Sequence, residues 1–222
     1  MTADPMDTRV ARMNMVESQV RTNKVIDRRI IDTLLELPRE EFLPPNLRST
    51  AYVDADLSMG NRRFAMEPMV LARLVQAAEV RSGDQALDFG AGGGYASALL
   101  ARLTTDVVAF ESDSTLAALA RTALAKQGAP QVSLIESPLT DFSKLRGSFD
   151  VILINGAVAE IPSALTDRLE EGGRLVTVTR SAGGVGHAVL VKKMLGVLSR
   201  RVLFDANTPF IAEFAPVESF VF

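Results

Sequence analysis

The residues able to do chemistry gather in one stretch, Leu87-Asp88-Phe89-Gly90-Ala91-Gly92-Gly93-Gly94-Tyr95, followed by a second acid, Glu111, 21 positions after Gly90. Glycines carry no Cβ, so the backbone can turn tightly there and approach a ligand closely. A carboxylate ending the next strand, as Phe110-Glu111 does, can accept both hydroxyl protons of a ribose. The expectation is a nucleoside-containing ligand over this turn. The plain alternative is a tight strand-to-helix turn with no ligand.

The details choose among nucleosides. A dinucleotide fingerprint, Gly-x-Gly-x-x-Gly or Ala, is met by Gly90 and Gly92 but has Tyr95 in its third place. Asp88 lies two residues before the first glycine. There it would repel a pyrophosphate and would suit a ligand bearing an ammonium and a sulfonium. S-adenosylmethionine fits these demands better than NAD. No Gly-Lys-Ser or Gly-Lys-Thr follows, so the triphosphate-cradling loop is missing. The expected cofactor set is Asp88, Gly90, Ala91, Gly92, Tyr95 and Glu111, with Tyr95 either packing under the turn or covering the ligand.

Other chemistry is thinly represented. There is no cysteine, which removes disulfides, thiolate metal sites and cysteine nucleophiles together. The only histidine, His187, has no acidic partner identifiable in sequence and reads as a surface or structural residue. No metal site and no catalytic acid or base is assigned. Asn155 and Gly156 close a strand where open parallel sheets place ligands, so Asn155 either contacts substrate or forms the turn. Met66 cannot act as a base and reads as an apolar wall near the methyl donor.

Positioning these residues requires a regular scaffold. Asp27 can cap a helix with apolar positions Ile30, Ile31, Leu34 and Leu35, ended by Pro38. Pro44 and Pro45 make residues 42–46 an extended connection, and residues 47–66, without clear period, read as loop or short strand. From Pro68 a helix carries Val70, Leu71, Leu74, Val75 and Ala78 on one face. Strand-like runs at 86–89, 107–110, 132–135, 151–154 and 175–178 alternate with helix-like stretches at 96–103, 116–127 and 161–169. Such alternation implies right-handed crossovers and a parallel sheet covered on both faces. Residues 188–193, 198–204 and 213–222 are strand-like without helices between them and predict antiparallel additions at one edge.

The fold class is therefore α/β, a mostly parallel doubly wound sheet with an N-terminal helical cap. One domain spans residues 1–222, with cap and substrate loop at 1–66, cofactor-binding core at 67–180 and edge strands at 181–222. A chain of 222 residues, 47% hydrophobic, can bury one sizeable core. A net charge of −3 and pI near 5.3 give no overall attraction to nucleic acid or an anionic membrane. The N-terminal residues, with Asp4, Asp7, Arg9 and Arg12, lack the apolar run of a signal peptide, and no run approaches the ~18 apolar residues of a membrane span. A soluble, cytoplasmic protein, monomeric or homodimeric, is expected.

Several segments, in chain order, resemble the protein L-isoaspartate O-methyltransferase family. They are Leu37-Pro38-Arg39-Glu40-Glu41-Phe42-Leu43-Pro44, Ala51-Tyr52, Leu57-Ser58-Met59-Gly60, Glu67-Pro68-Met69-Val70-Leu71-Ala72-Arg73, the glycine turn, and Phe149-Asp150-Val151-Ile152 through Ile161-Pro162. The resemblance implies the seven-stranded fold and methyl transfer from S-adenosylmethionine to the carboxylate formed when asparagine or aspartate rearranges in a protein or peptide. Asp88, Gly90 and Gly92 would line the methionine end, and Glu111 would hold the ribose. A carboxylate of pKa ~4 is already ionised near neutrality, so such chemistry needs alignment and exclusion of water more than acid or base help.

Two segments depart from the family pattern. Where relatives carry Gly-x-Gly-Gln-Thr-Ile-Ser-Gln-Pro, this chain has Gly60-Asn61-Arg62-Arg63-Phe64-Ala65-Met66-Glu67-Pro68, so Phe64 and Met66 replace two hydroxyl residues. Arg62 and Arg63 arrive in the same loop, either to grip a carboxylate through paired hydrogen bonds or as solvated charges. The family's Gly-Asp-Gly beside the adenine aligns with Ser137, Pro138 and Leu139, where backbone groups and apolar stacking would have to serve instead. The acceptor site is expected at Arg62, Arg63, Phe64, Met66 and Asn155. Three readings follow: an isoaspartyl carboxyl methyltransferase, a methyltransferase with a changed small-molecule acceptor, and a non-catalytic S-adenosylmethionine-binding protein. A nicotinamide oxidoreductase is disfavoured by Asp88 and Tyr95.

Overall fold

Right-handed crossovers decide which face of the sheet each connection covers. In the computed structural model, which describes residues 5–216, the chain begins with helix α1 (Pro5–Met15), two short irregular turns and helix α2 (Arg28–Glu36). The Asp27 side chain caps α2 by accepting from the Arg29 amide, as expected. Two three-ten turns, Arg39–Phe42 and Pro45–Thr50, flank an extended Leu43-Pro44 link, so the extended connection is shorter than residues 42–46. Residues 47–66 are more ordered than their lack of period suggests. Strands β1 (Leu57–Gly60) and β2 (Arg63–Ala65) pair there as an antiparallel hairpin separate from the main sheet.

Helix α3 (Pro68–Ala77) starts on its proline and leads to β3 (Gln85–Phe89). Then come α4 (Tyr95–Leu100), β4 (Asp106–Glu111), α5 (Ser114–Lys126), β5 (Ser133–Glu136), β6 (Phe149–Val158), α6 (Ser163–Thr166), β7 (Leu169–Thr179), β8 (His187–Met194) and β9 (Val197–Asp205). The seven-stranded sheet has the order β5-β4-β3-β6-β7-β8-β9. Pairs from β5 to β7 are parallel, while β8 and β9 add antiparallel. From β3 to β5 the chain steps one way along the sheet, so α4 and α5 fall on one face. It then reverses to β6, which sends the later connections to the other face.

Strand side chains alternate accordingly. Ala86, Val107, Val151, Leu153, Val176 and Val178 join α3, α4, α5 and the N-terminal cap in one core. Leu87, Phe89, Phe110, Ile152, Ile154 and Leu175 form the second, with Leu165, Leu145 and Ile211 over them. Among the described residues, the second face carries no long helix. The helix expected over 161–169 shrinks to the single turn of α6, because Pro162 fixes its start and β7 already begins at Leu169. At the C-terminus, Ala212–Phe214 is a three-ten turn rather than the start of a strand, and residues 217–222 lie outside the described part. The chain instead meets the sheet at Phe210, which forms a parallel bridge with Ala157.

At the end of the sheet away from the glycine turn, a buried ion pair locks layers together. Arg174, 3% exposed, pairs with Asp84 and donates to the carbonyls of Ala78, Glu79 and Asp150 at 2.9, 2.9 and 3.2 Å. It thus ties α3, the start of β3, β6 and β7. Removing one partner from such a cluster leaves an uncompensated buried charge, which costs about 3 to 5 kcal/mol. We expect Arg174→Met to lower unfolding free energy by about 3 kcal/mol in equilibrium urea titration, with little change in m-value.

Candidate functional site

The reversal between β3 and β6 opens a crevice beyond the carboxyl ends of the strands, the position where open α/β sheets place ligands. β3 brings Asp88 and the glycine turn to it, β4 brings Glu111, and β6 brings Asn155 and Gly156. The carbonyl of Phe110 accepts from the Gly90 and Ala91 amides at 2.8 and 3.1 Å, which bolts the turn to β4. Glycine is required at two of these positions for different reasons. Gly92 has φ +56° and donates its amide to Glu111 Oε2 at 2.6 Å. At Gly93 a Cβ would stand 1.9 Å from the Phe42 carbonyl oxygen, so the N-terminal cap seats directly on the turn.

Both acids are fully buried. Glu111 Oε1 accepts from the Ser112 and Asp113 amides at 2.8 and 2.9 Å and from Arg63 Nε and Nη2 at 3.1 and 2.8 Å. Asp88 accepts from Ser97 Oγ at 2.6 Å and from Asn155 Nδ2 at 3.3 Å. Burial pushes the Asp88 carboxyl up to about 7, against the opposing effect of those two hydrogen bonds and with the nearby Glu111 charge adding to the rise.

The β1–β2 hairpin lies across this crevice. Its two-residue tip, Asn61 and Arg62, has positive φ at both positions (47° and 57°), the backbone that a type I′ hairpin turn demands. Asn61 Nδ2 donates to Asp113 Oδ2 at 2.7 Å, and Arg62 stands exposed. Arg63 turns inward and is 6% exposed, so it is not a solvated loop charge: the carboxylate it grips belongs to its own chain. Phe64 and Met66 reach the crevice with Asn155, Gly90, Gly92 and Thr208, around a cavity of about 10 Å³. A neighbouring one of about 20 Å³ is lined by Phe42, Met59, Phe64, Met66, Ala91 and Tyr95.

The remaining expected residues are distributed around these. Tyr95 is 7% exposed, with its ring edge-to-face against Phe42 at 5.5 Å and the Arg39 guanidinium 5.0 Å from its centroid. Arg39 itself, 1% exposed, donates to the carbonyls of Ala51 and Met66 at 2.8 Å each and so anchors the cap to the segment before α3. Ser137, Pro138 and Leu139 follow β5, with the Ser137 amide on the Glu111 carbonyl at 3.0 Å and Leu139 buried close to Gly90. His187 lies apart at the antiparallel edge. Its acidic partner, not identifiable in sequence, is Asp205, 2.9 Å from Nδ1 across β8 and β9.

Sequence reasoning missed four contributors. Ser97 sits two positions beyond the glycine-turn stretch, in the first turn of α4. Asp113 was legible as the cap of α5, a role it also fills by accepting from the Leu116 amide at 3.0 Å. Thr208 and Ile211 had no local signal, since only the return of the chain after β9 brings them to the crevice. Thr208 Oγ1 is buried with no hydrogen-bond partner. Among the described residues, no cluster of three or more metal-ligating side chains is present, and no helix is long and apolar enough to cross a membrane.

Residues 11–200 match the family described as Protein-L-isoaspartate(D-aspartate) O-methyltransferase. A protein-L-isoaspartate O-methyltransferase of Koribacter versatilis is 34% identical over 196 residues, covering 88% of each chain. One from Methanoregula boonei is 38% identical over 165 residues, covering 74% of this chain and 76% of its own. Among solved structures, a protein-L-isoaspartate O-methyltransferase superposes with TM-score 0.76 at 22% identity, covering 92% of this chain and 67% of that one. A second, from Plasmodium falciparum and solved with S-adenosyl-L-homocysteine, gives TM-score 0.75 at 19% identity, covering 89% and 96%. At these identities the two structures establish the fold.

The buried Asp88 has a consequence for stability. Its folded pKa near 7 exceeds its ordinary value of 3.8, so between these pH values the folded chain holds a proton that the unfolded chain has released. Stability must therefore fall as pH rises from about 4 to 7. Asp88→Asn removes that loss. Thermal unfolding should show the variant melting roughly 5 °C above the parent at pH 8 and level with it near pH 4.5.

Proposed function

The chain belongs to the protein-L-isoaspartate(D-aspartate) O-methyltransferase family, and on that premise we propose that it is an S-adenosylmethionine-dependent methyltransferase that esterifies isoaspartyl carboxylates of proteins or peptides. The observation carrying this reading is the family match over residues 11–200, with its glycine turn, Asp88 and Glu111 converging at the sheet's reversal. The donor set suits the cofactor. Glu111 is an acceptor for ribose hydroxyls, already oriented by three backbone amides. Asp88 faces the methionine end, where ionisation of its carboxyl would complement an ammonium. Residues 137–139 flank the adenine side, Leu139 by apolar contact and Ser137 through its backbone.

The cofactor supplies a methyl group on a cationic sulfur, which a carboxylate can accept without prior deprotonation. The chain's own task is alignment and dryness. Phe64 and Met66 exclude water from the transfer path, and the buried Thr208 hydroxyl offers a hydrogen bond that the lost loop hydroxyls no longer supply. We read the protein as acting in the cytoplasm, where a chain without cysteine is indifferent to reducing conditions.

Phe64 and Met66 also support a second reading, a smaller or more apolar carboxylate acceptor in place of the isoaspartyl peptide. Calorimetric titration with S-adenosylhomocysteine, then radiolabelled methyl transfer to an isoaspartyl peptide and its aspartyl control, separates the two. The expected result is binding with transfer to the isoaspartyl peptide alone. Binding without transfer to either peptide sinks the isoaspartyl reading in favour of the second, and absence of binding sinks the cofactor assignment. Glu111→Ala should weaken binding by roughly a hundredfold, the loss of a buried charged acceptor.

A further inference from the structure

Arg63 spends its buried hydrogen bonds on the one carboxylate that the proposed cofactor needs. Its Nε and Nη2 both reach Glu111 Oε1, Nη2 also meets Ser112 Oγ at 3.1 Å, and Nη1 lies 3.7 Å from Glu213. Both donors converge on the one oxygen that also accepts from the Ser112 and Asp113 amides, on the carboxylate that a ribose would need for its hydroxyls. The guanidinium thus takes up the side-chain approach to Oε1, while Oε2 carries only the Gly92 amide. A ribose whose hydroxyls reached both oxygens would have to displace the guanidinium from Oε1.

Side chains complete the closure. Met59 Cε lies 2.7 Å from where a Cβ on Gly92 would stand, and Ile211 Cδ1 lies 3.1 Å from that of Gly90. The approaches over Gly90 and Gly92 are thus filled by the flexible ends of side chains. The spaces remaining, about 10 and 20 Å³, hold about one water each. Small-molecule sites run from roughly 300 Å³ upward. The hairpin that must yield is built to do so: β1 and β2 pair only with each other, so displacing them breaks no bond of the main sheet. Its polar ties to the site are those of Arg63 and the Asn61–Asp113 hydrogen bond.

Resting on the cofactor reading above, we propose that Arg63 is an internal placeholder for the ribose hydroxyls, and that the β1–β2 hairpin is a lid which the Arg63–Glu111 pair holds shut until the cofactor displaces it. When the pair breaks, Glu111 keeps its three amide bonds and is ready to accept the ribose. Apparent affinity is then the intrinsic affinity multiplied by the fraction of open chains, so loosening the latch tightens binding. A guanidinium that bound substrate or cofactor directly would behave in the opposite way.

The test combines calorimetric titration of S-adenosylhomocysteine with hydrogen exchange of the β1–β2 amides measured on the protein alone. Arg63→Ala should bind at least roughly tenfold tighter than the parent, and its hairpin amides should exchange at least roughly tenfold faster. Arg63→Lys keeps a buried cation without the fork and should fall between the two, which serves if the alanine variant does not fold. Equal or weaker binding by the variants, with binding by the parent intact, overturns the placeholder and leaves the cofactor reading standing. Unchanged hairpin exchange overturns the lid. No binding by the parent or either variant removes both readings together.

Discussion

Glu111 ends β4 with no exposure to solvent, and the backbone around it is bent to supply what a buried carboxylate demands. Three amides converge on it, from Gly92 across the turn and from Ser112 and Asp113 on its own strand end. That convergence requires the left-handed φ of Gly92 and the hold of the Phe110 carbonyl on Gly90 and Ala91. The turn, the end of β4 and the start of α5 are in this way one hydrogen-bonded unit. An unpaired carboxylate in that place would cost several kcal/mol, so the site geometry and the fold's integrity rest on the same bonds.

Stability and function are segregated along the strands. At one end Arg174 and Asp84 draw α3, β3, β6 and β7 together with every polar contact internal. At the other, the crevice keeps Asp88 under a raised pKa and leaves Thr208 without a hydrogen-bond partner. Such imperfections are expensive to retain, and these two stand where a ligand would be handled. The cap belongs to both regions, because Arg39 joins it to the segment before α3 while Phe42 seats on Gly93.

The altered loop gains coherence from this arrangement. Where its relatives' family pattern carries hydroxyl residues, this chain places an apolar pair, Phe64 and Met66, beside an arginine that turns back onto Glu111. The apolar pair dries the crevice, and a dry crevice strengthens the ion pair that closes it. On the proposal above, loss of hydroxyls and gain of the arginine are parts of one change in how the site is closed, with Thr208 also on its lining.

Alternating apolar runs, the Asp27 and Pro68 helix starts and the spacing from the glycine turn to Glu111 were legible in the sequence. Each depends on neighbours within a few residues, or on a period that only one kind of element can satisfy. The same local reading overextended the helix before β7, and it read the 47–66 segment as loop or short strand without seeing that it pairs as a hairpin, since the pairing depends on partners across the turn. Three-dimensional packing alone decided that Arg63 faces Glu111, 48 positions away, that Asn155 donates to Asp88, 67 away, and that Thr208 and Ile211 wall the crevice. Which charge a side chain meets over such separations depends on crossover handedness and on the order of strands, and neither is encoded near the residues that meet.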